Sequence, residues 1–239
     1  MMLQVERLSK SYGRGKHKKE VLRKISLNVA DGELVGIVGE SGSGKSTLAR
    51  IIMQLEHCDE GEILFHGKRP VDLYSYYSNC QIVFQHASSA LNPSWTVMEI
   101  LREPLRSMKG TDRDAYIFKM LDKVQLSKSH ISRRPSELSG GERQRVNVLR
   151  SILVQPKLLI CDEIVSNLDR LIQKEIVDMI RQLNEDTGMA ILFISHDLRV
   201  VNYLCDRVYV MKSGQIVDES KKQEGKFSFT DQYAKKLFA

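Results

Sequence analysis

The sequence predicts an α/β fold with a mostly parallel sheet, helices on its faces, an antiparallel β part near the start and an inserted helical part. Three observations carry that expectation. Apolar runs of strand length recur at ELVGIV (33–38), QIVF (81–84), LLIC (158–161), AILFIS (190–195) and RVYVM (207–211), several separated by helical patterns. Ahead of them, LQVERLSK (3–10) and RKISLNVA (23–30) alternate apolar and polar residues, as half-buried strands do, around a Gly- and Lys-rich turn. Between QIVFQ and PKLLICDE, about seventy residues show helical spacing at 97–107, 114–124 and 141–154 and no strand pattern.

Each element follows in order. ELVGIV is a buried strand that enters a glycine-rich loop, and Leu48, Ile51, Ile52 and Leu55 give residues 46–55 the spacing of a helix. EILF (62–65) adds a strand before QIVF. With 239 residues, 42% hydrophobic and 28% charged, the chain has a globular composition and can bury a sizeable core. No apolar run approaches the roughly 18 residues of a membrane-spanning helix, and MMLQVERLSK lacks the apolar segment of a signal peptide. Cys58, Cys80, Cys161 and Cys205 form no CxxC pair, which argues against a zinc ribbon and for a reduced, cytosolic setting. The net charge of +6 gathers partly in RGKHKK (14–19). Without interleaved aromatics that run favours a solvated loop over a nucleic-acid or membrane contact. His57, Cys58 and His66 lack a fourth ligand at ordinary spacing and read as a surface turn rather than a metal site.

Chemistry is concentrated at strand ends. GESGSGKST (39–47) fits the G-x-x-x-x-G-K-[ST] pattern and lies after an apolar strand and before a helix, the context that gives the pattern meaning. Gly39, Glu40, Ser41, Gly42, Ser43 and Gly44 would wrap phosphates with their backbone; Lys45 would reach the β- and γ-phosphates, and Ser46, followed by Thr47, would ligate Mg²⁺. In that context the motif predicts nucleotide binding and resembles the core of a P-loop NTPase. KLLICDE (157–163) delivers Asp162 and Glu163 to the end of a buried strand, Asp162 toward the Mg²⁺ shell and Glu163 toward a water in line with the γ-phosphate. His196 ends ILFISHD (191–197), from where an imidazole could contact the γ-phosphate or that water. LSGGERQRVNVLRSIL (138–153) opens a helix on Ser139, Gly140 and Gly141, whose uncovered N–H groups and helix dipole call for an anion.

Phosphate loop, LSGGE, Asp-Glu, SNLD and a strand-end histidine, in that order, resemble the ATPase subunit of an ABC (ATP-binding cassette) transporter over nearly the whole chain. The resemblance implies a single domain over 1–239, with 1–85 and 156–239 as the nucleotide-binding core and 86–155 as the helical signature part. It implies Tyr12 as the adenine-stacking aromatic and Gln85 as the Q-loop glutamine near Mg²⁺ and the attacking water. It implies Leu138 to Glu142 as the signature facing the other subunit's ATP, Ser166 to Asp169 as the D-loop and His196 as the switch histidine. Two positions depart from the family pattern: Glu142 stands where Gln is commoner, and Ile164-Val165 where Pro-Thr is usual.

DNA-repair members insert long coiled coils and ribosome-acting members usually carry two cassettes; neither fits one compact cassette without heptads, and a kinase would leave the signature and Gln85 unexplained. SSALNPSWTVMEILREPLRS (88–107) resembles the oligopeptide and nickel importers at Leu91-Asn92-Pro93, Thr96-Val97 and Glu103-Pro104-Leu105. ICDEIVSNLD (160–169) and the short end FSFTDQYAKKLFA (227–239) are closer to the nickel-type second ATPase. The resemblance therefore implies ATP and Mg²⁺ as cofactors and nickel, a related transition metal or a chelate as cargo, with di- or oligopeptides as the alternative. It implies a second ATPase, favouring a heterodimer, two permeases and indirectly a solute-binding protein as partners, with no nucleic acid. The expected place is the cytoplasmic face of the cell membrane, held there through the permeases.

Overall fold

The computed structural model describes residues 1–13, 15–84, 90–166 and 168–238. Strand β1 (Leu3–Tyr12) pairs antiparallel with β2 (Lys19–Val29), and, after β3 (Leu34–Val38), β4 (Glu60–Phe65) pairs with its other edge. The result is a three-stranded sheet in the order β2-β1-β4. The second sheet adds β5 (Cys80–Val83), β6 (Leu158–Asp162), β7 (Ala190–Ile194), β8 (Arg207–Lys212) and β9 (Gln215–Lys221), in the order β5-β6-β7-β3-β8-β9. Its pairs are parallel except β8 with β9. This is the predicted α/β architecture, including the antiparallel part.

Among the described residues the α-helices are α1 (Lys45–Ile52), α2 (Leu73–Asn79), α3 (Val97–Arg102), α4 (Gly110–Leu121), α5 (Gly140–Ile152), α6 (Arg170–Thr187), α7 (Leu198–Leu204) and α8 (Gln232–Phe238). Strand periodicity divides the core in two. Ile191 and Phe193 of β7 face a cluster with Leu149 of α5 and Ile176 of α6, while Ala190, Leu192 and Ile194 face one with Leu48 and Ile51 of α1 and Val5 of β1. Both faces being buried explains why the parallel strands read as unbroken apolar runs.

Boundaries differ from expectation for local reasons. The pattern at 97–107 is split: α3 stops at Arg102 and a 3₁₀ turn, Glu103–Leu105, takes over at Pro104, which has no N–H for the α ladder. The pattern at 114–124 begins earlier, at Gly110, and gives way after Leu121 to a 3₁₀ turn closed by Gln125 at φ 56°. Lys19, expected in the loop, already belongs to β2. Helix α2, which buries only Tyr76 and so shows no helical stripe, and β9 and α8 toward the end carried no sequence expectation, and α6 and α7 only the general one of helices between strands.

What matters for chemistry is the strand register. Ile37 pairs with Ile194, and Asp162 also pairs with Ile194, so the carboxyl ends of β3, β6 and β7 lie side by side. The chain segments that leave those ends start within one small region.

Candidate functional site

Gly39 to Gly44 connect β3 to α1 as a tight cradle. A Cβ at Gly39 would lie 2.2 Å from the Met211 carbonyl oxygen, so β8 passes too close for any side chain there. Gly44 sits at φ 105° with Leu22 Cδ2 2.6 Å from its would-be Cβ, a position strained for any L-residue. These constraints force backbone to the surface of the cradle. Inside it, Ser43 Oγ is buried without a hydrogen-bond partner. An orphaned hydroxyl in a glycine loop at a helix start matches an absent anionic ligand.

Lys45 is 4% exposed and donates from Nζ to the carbonyl oxygens of Gly39 (2.8 Å) and Glu40 (3.0 Å). Burial pushes its ammonium below the ordinary lysine range, opposed by Glu163 and Asp162. Ser46 Oγ donates to Asp162 Oδ1 at 3.2 Å, bridging α1 to the end of β6. Burial pushes the Asp162 carboxyl up; the Ser46 hydrogen bond opposes that, and the neighbouring Glu163 adds to it. A hydroxyl and a carboxylate at this spacing are hard oxygen donors suited to Mg²⁺.

Glu163 has φ 50°, a left-handed conformation uncommon outside glycine, held while its N–H donates to the Ile194 carbonyl at 2.9 Å. Its carboxylate lies between an ammonium and an imidazole: Oε1 is 4.0 Å from Lys45 Nζ, and Oε2 is 3.2 Å from His196 Nδ1. Backbone strain here re-aims the side chain toward the cradle, a common device at functional sites. Ser166 Oγ donates to the Glu163 carbonyl at 2.7 Å, tying the following loop to it. Tyr12 reaches the same region from β1: its hydroxyl donates to Glu56, burial pushes it above the ordinary tyrosine range, and Lys10 Nζ lies 5.3 Å from its ring centre. Gln85 lies outside the described residues, as does Asn167.

The structure thus brings together Tyr12, the 39–47 loop, Asp162, Glu163 and His196. The signature is elsewhere: among the described residues no hydrogen bond or ion pair joins Ser139–Glu142 to residues 39–47. Gly141 sits against α6, where its would-be Cβ meets Ile172 Cγ2 at 2.7 Å. Asp169 caps α6, its Oδ1 accepting from the N–H groups of Leu171 (3.1 Å) and Ile172 (3.0 Å). Arg145, 8% exposed, locks α5 in place by donating to the Val124 carbonyl, Gln125 Oε1 and Glu175 Oε2.

The first turn of α5 is less bare than the sequence suggests. Ser139 Oγ accepts from the Glu142 N–H (3.2 Å) while Glu142 Oε2 accepts from the Ser139 N–H (2.7 Å), a capping box. Glu142 Oε1 lies 2.9 Å from His130 Nε2. The Ser139 N–H first, and then His130, outweigh burial and hold the Glu142 carboxyl down at about 2. His130 was not singled out by sequence, because no motif spacing links it to a residue twelve positions on.

The chain is similar to known proteins in sequence and in fold. The family model described as "ABC transporter" matches residues 22–166. The nickel import ATP-binding protein NikE of Shigella boydii is 44% identical over 230 residues, covering 91% of this chain and 86% of that protein; the Escherichia coli (strain K12) protein of the same name is 43% identical over the same shares. Among solved structures, the dimeric post-hydrolysis state of the ATP-binding cassette MJ0796 bound to ADP and Pi superposes with a TM-score of 0.84 at 29% identity, over 93% of this chain and 99% of that one. CbiO1 from Clostridium perfringens, part of the ABC transporter complex cbiONQ, gives 0.82 at 26% identity, over 91% and 87%. With its phosphate loop, strand-end carboxylates and capped signature helix in that order on that fold, the chain belongs to the ABC transporter family as one of its ATPase cassettes.

Proposed function

We propose that this cassette powers a bacterial importer of nickel, a related transition metal or its chelate. The observation that carries the cargo is the 44% identity, over 91% of the chain, to proteins named for nickel import. As an importer cassette it works beneath membrane permeases and as a dimer. Among the described residues no helix is long and apolar enough to cross a membrane, so attachment to the cytoplasmic face would run through the permeases. The chain would work as one domain, with 1–85 and 156–239 as the nucleotide core and 86–155 carrying the signature.

The roles follow from chemistry. Lys45 and the 39–44 backbone hold the phosphates, and Tyr12 stacks on the base. Ser46 and Asp162 would hold Mg²⁺, with Gln85 as a further oxygen donor; the ion would spread the charge that builds on the phosphate oxygens. Glu163 takes a proton from the attacking water as its oxygen bonds to the γ-phosphorus and the bond to the β–γ bridging oxygen breaks. His196, hydrogen-bonded to Glu163, keeps that carboxylate aimed and contacts the departing phosphate. In trans, Ser139 and the Gly140 and Gly141 N–H groups receive the partner subunit's γ-phosphate while Glu142 caps that helix turn, and Asp169 lies in the loop between the two sites. ATP-driven closure would pass through the segment from Gln85 to Pro93 to the permeases, and a solute-binding protein would deliver the cargo outside.

Two measurements test this. A deletion strain assayed with radioactive nickel, cobalt and a labelled dipeptide is expected to lose metal accumulation; unchanged metal uptake with lost peptide uptake would establish the peptide importer instead. For assembly with a paralogous second ATPase, the chain alone is expected to hydrolyse ATP only at concentrations where it self-associates, and co-expression with the partner to restore turnover. A rate per chain that is constant across a range where sizing shows only monomer would overturn the shared-site arrangement.

A further inference from the structure

We propose that His130 is a positioning residue of the signature, holding the Glu142 carboxylate away from the amides that receive the partner subunit's phosphate. This rests on the trans role of the signature proposed above. Glutamate at this position is a liability. An anion on the first turn of a helix is attracted to the same free N–H groups that should bind phosphate. Among the described residues the Gly140 and Gly141 N–H groups have no hydrogen-bond partner, whereas the Glu142 N–H is covered by Ser139 Oγ. A carboxylate one residue away, free to rotate, would fill the vacant pair.

The structure shows it restrained at both oxygens. Oε2 accepts from the Ser139 N–H at 2.7 Å and Oε1 is 2.9 Å from His130 Nε2. The imidazole is in turn fixed from behind. Its Nδ1 lies 3.1 Å from both the N–H and the carbonyl oxygen of Ser127 and 2.8 Å from Ser127 Oγ, and Nε2, which faces a carboxylate that can only accept, is the nitrogen that donates to Glu142. His130 is 14% exposed and sits in a 3₁₀ turn, Lys128–His130, whose geometry presents the ring to α5. Neighbouring cations are engaged elsewhere: Lys128 over the Phe118 ring, Arg143 on the Pro135 and Leu138 carbonyls. His130 is thus the side chain that confines the second oxygen of Glu142.

The test is a KM comparison on the importer purified with its permeases and partner ATPase. His130→Ala and His130→Phe are expected to raise the KM for ATP roughly two- to fivefold, the range for one charge at a helix end, with kcat little changed. His130→Gln, which restores an N–H donor, is expected to recover most of the loss. In a Glu142→Gln background, where no anion competes, His130→Ala is expected to leave KM unmoved. An equal KM rise in both backgrounds would mean that His130 only supports the fold and would overturn the proposal; so would an unchanged KM in the Glu142 background. Glu163→Gln is read separately: turnover that survives it strikes the hydrolytic site, not this comparison.

Discussion

Glu163→Gln is expected to bind MgATP as the unaltered chain does and to lower turnover of the assembled importer by about a hundredfold or more, the usual cost of losing one general base. The substitution is nearly isosteric, and its surroundings say why the fold should ignore it. The left-handed backbone at φ 50° is as strained for Gln as for Glu, and the N–H bond to Ile194 does not involve the side chain. An amide oxygen can still accept from His196, now 3.2 Å from the carboxylate. What disappears is the proton acceptor and the negative charge 4.0 Å from Lys45. Removing that charge should, if anything, favour the triphosphate, so nucleotide is retained while chemistry stalls. The measurement is paired: equilibrium nucleotide binding and steady-state phosphate release on one preparation. Release above a tenth of the unaltered rate would assign the proton to another group, and lost binding would mean that the carboxylate serves to build the cradle.

Much of this site was legible in the sequence because its parts lie at strand ends, where one short apolar run fixes both position and direction. LLIC followed by Asp-Glu could only place the pair at the carboxyl edge of a buried strand, and the register of β6 with β7 puts Asp162 opposite Ile194, two residues before His196. The positive φ of Glu163 carried no sequence signal, since left-handed conformations are announced by Gly and Asn, not by Glu. The signature shows the other limit. LSGGE identified a helix start, yet whether Glu142 would point outward or fold back on Ser139 depended on His130, which tertiary structure alone brings within 2.9 Å. Helix α2 was invisible for a related reason: with only Tyr76 buried, its order comes from the Asp72 cap and from packing against Ile52, whose carbonyl accepts the buried Tyr76 hydroxyl.

The buried pair of Glu33 and Arg207 is expected to be the costliest polar contact in the fold to break, and Glu33→Gln to destabilise the chain by about 3 kcal/mol. Arg207 is 4% exposed and cannot shed its charge. Its Nε and one terminal nitrogen donate to Glu33 Oε1 (2.8 Å) and Oε2 (2.7 Å), and it also donates to Glu219 (2.8 Å), the Tyr209 hydroxyl (2.6 Å) and Asn28 (2.9 Å). These bonds pin the entrance of β3 to β8, β9 and β2, upstream of the phosphate loop. With Gln at 33 the guanidinium stays buried and keeps only the half-exposed Glu219 as counter-charge, so the effect should sit at the low end of the range for a broken buried pair. At this chain length that corresponds to a fall of about 6–12 °C in Tm. The pH dependence fixes the cause. Burial alone would raise the Glu33 carboxyl, but the bonds from Arg207 and the Ala30 N–H outweigh it and hold it below its ordinary value. A carboxyl depressed by folding stabilises fully above its unfolded pKa, and that contribution is lost as pH falls through the folded one. The stability gap between the unaltered chain and Glu33→Gln should therefore be full at neutral pH and close on acidification below the ordinary carboxylate range. Denaturant unfolding at a series of pH values measures it; a gap that widens in acid would place the cost in packing and not in the ion pair.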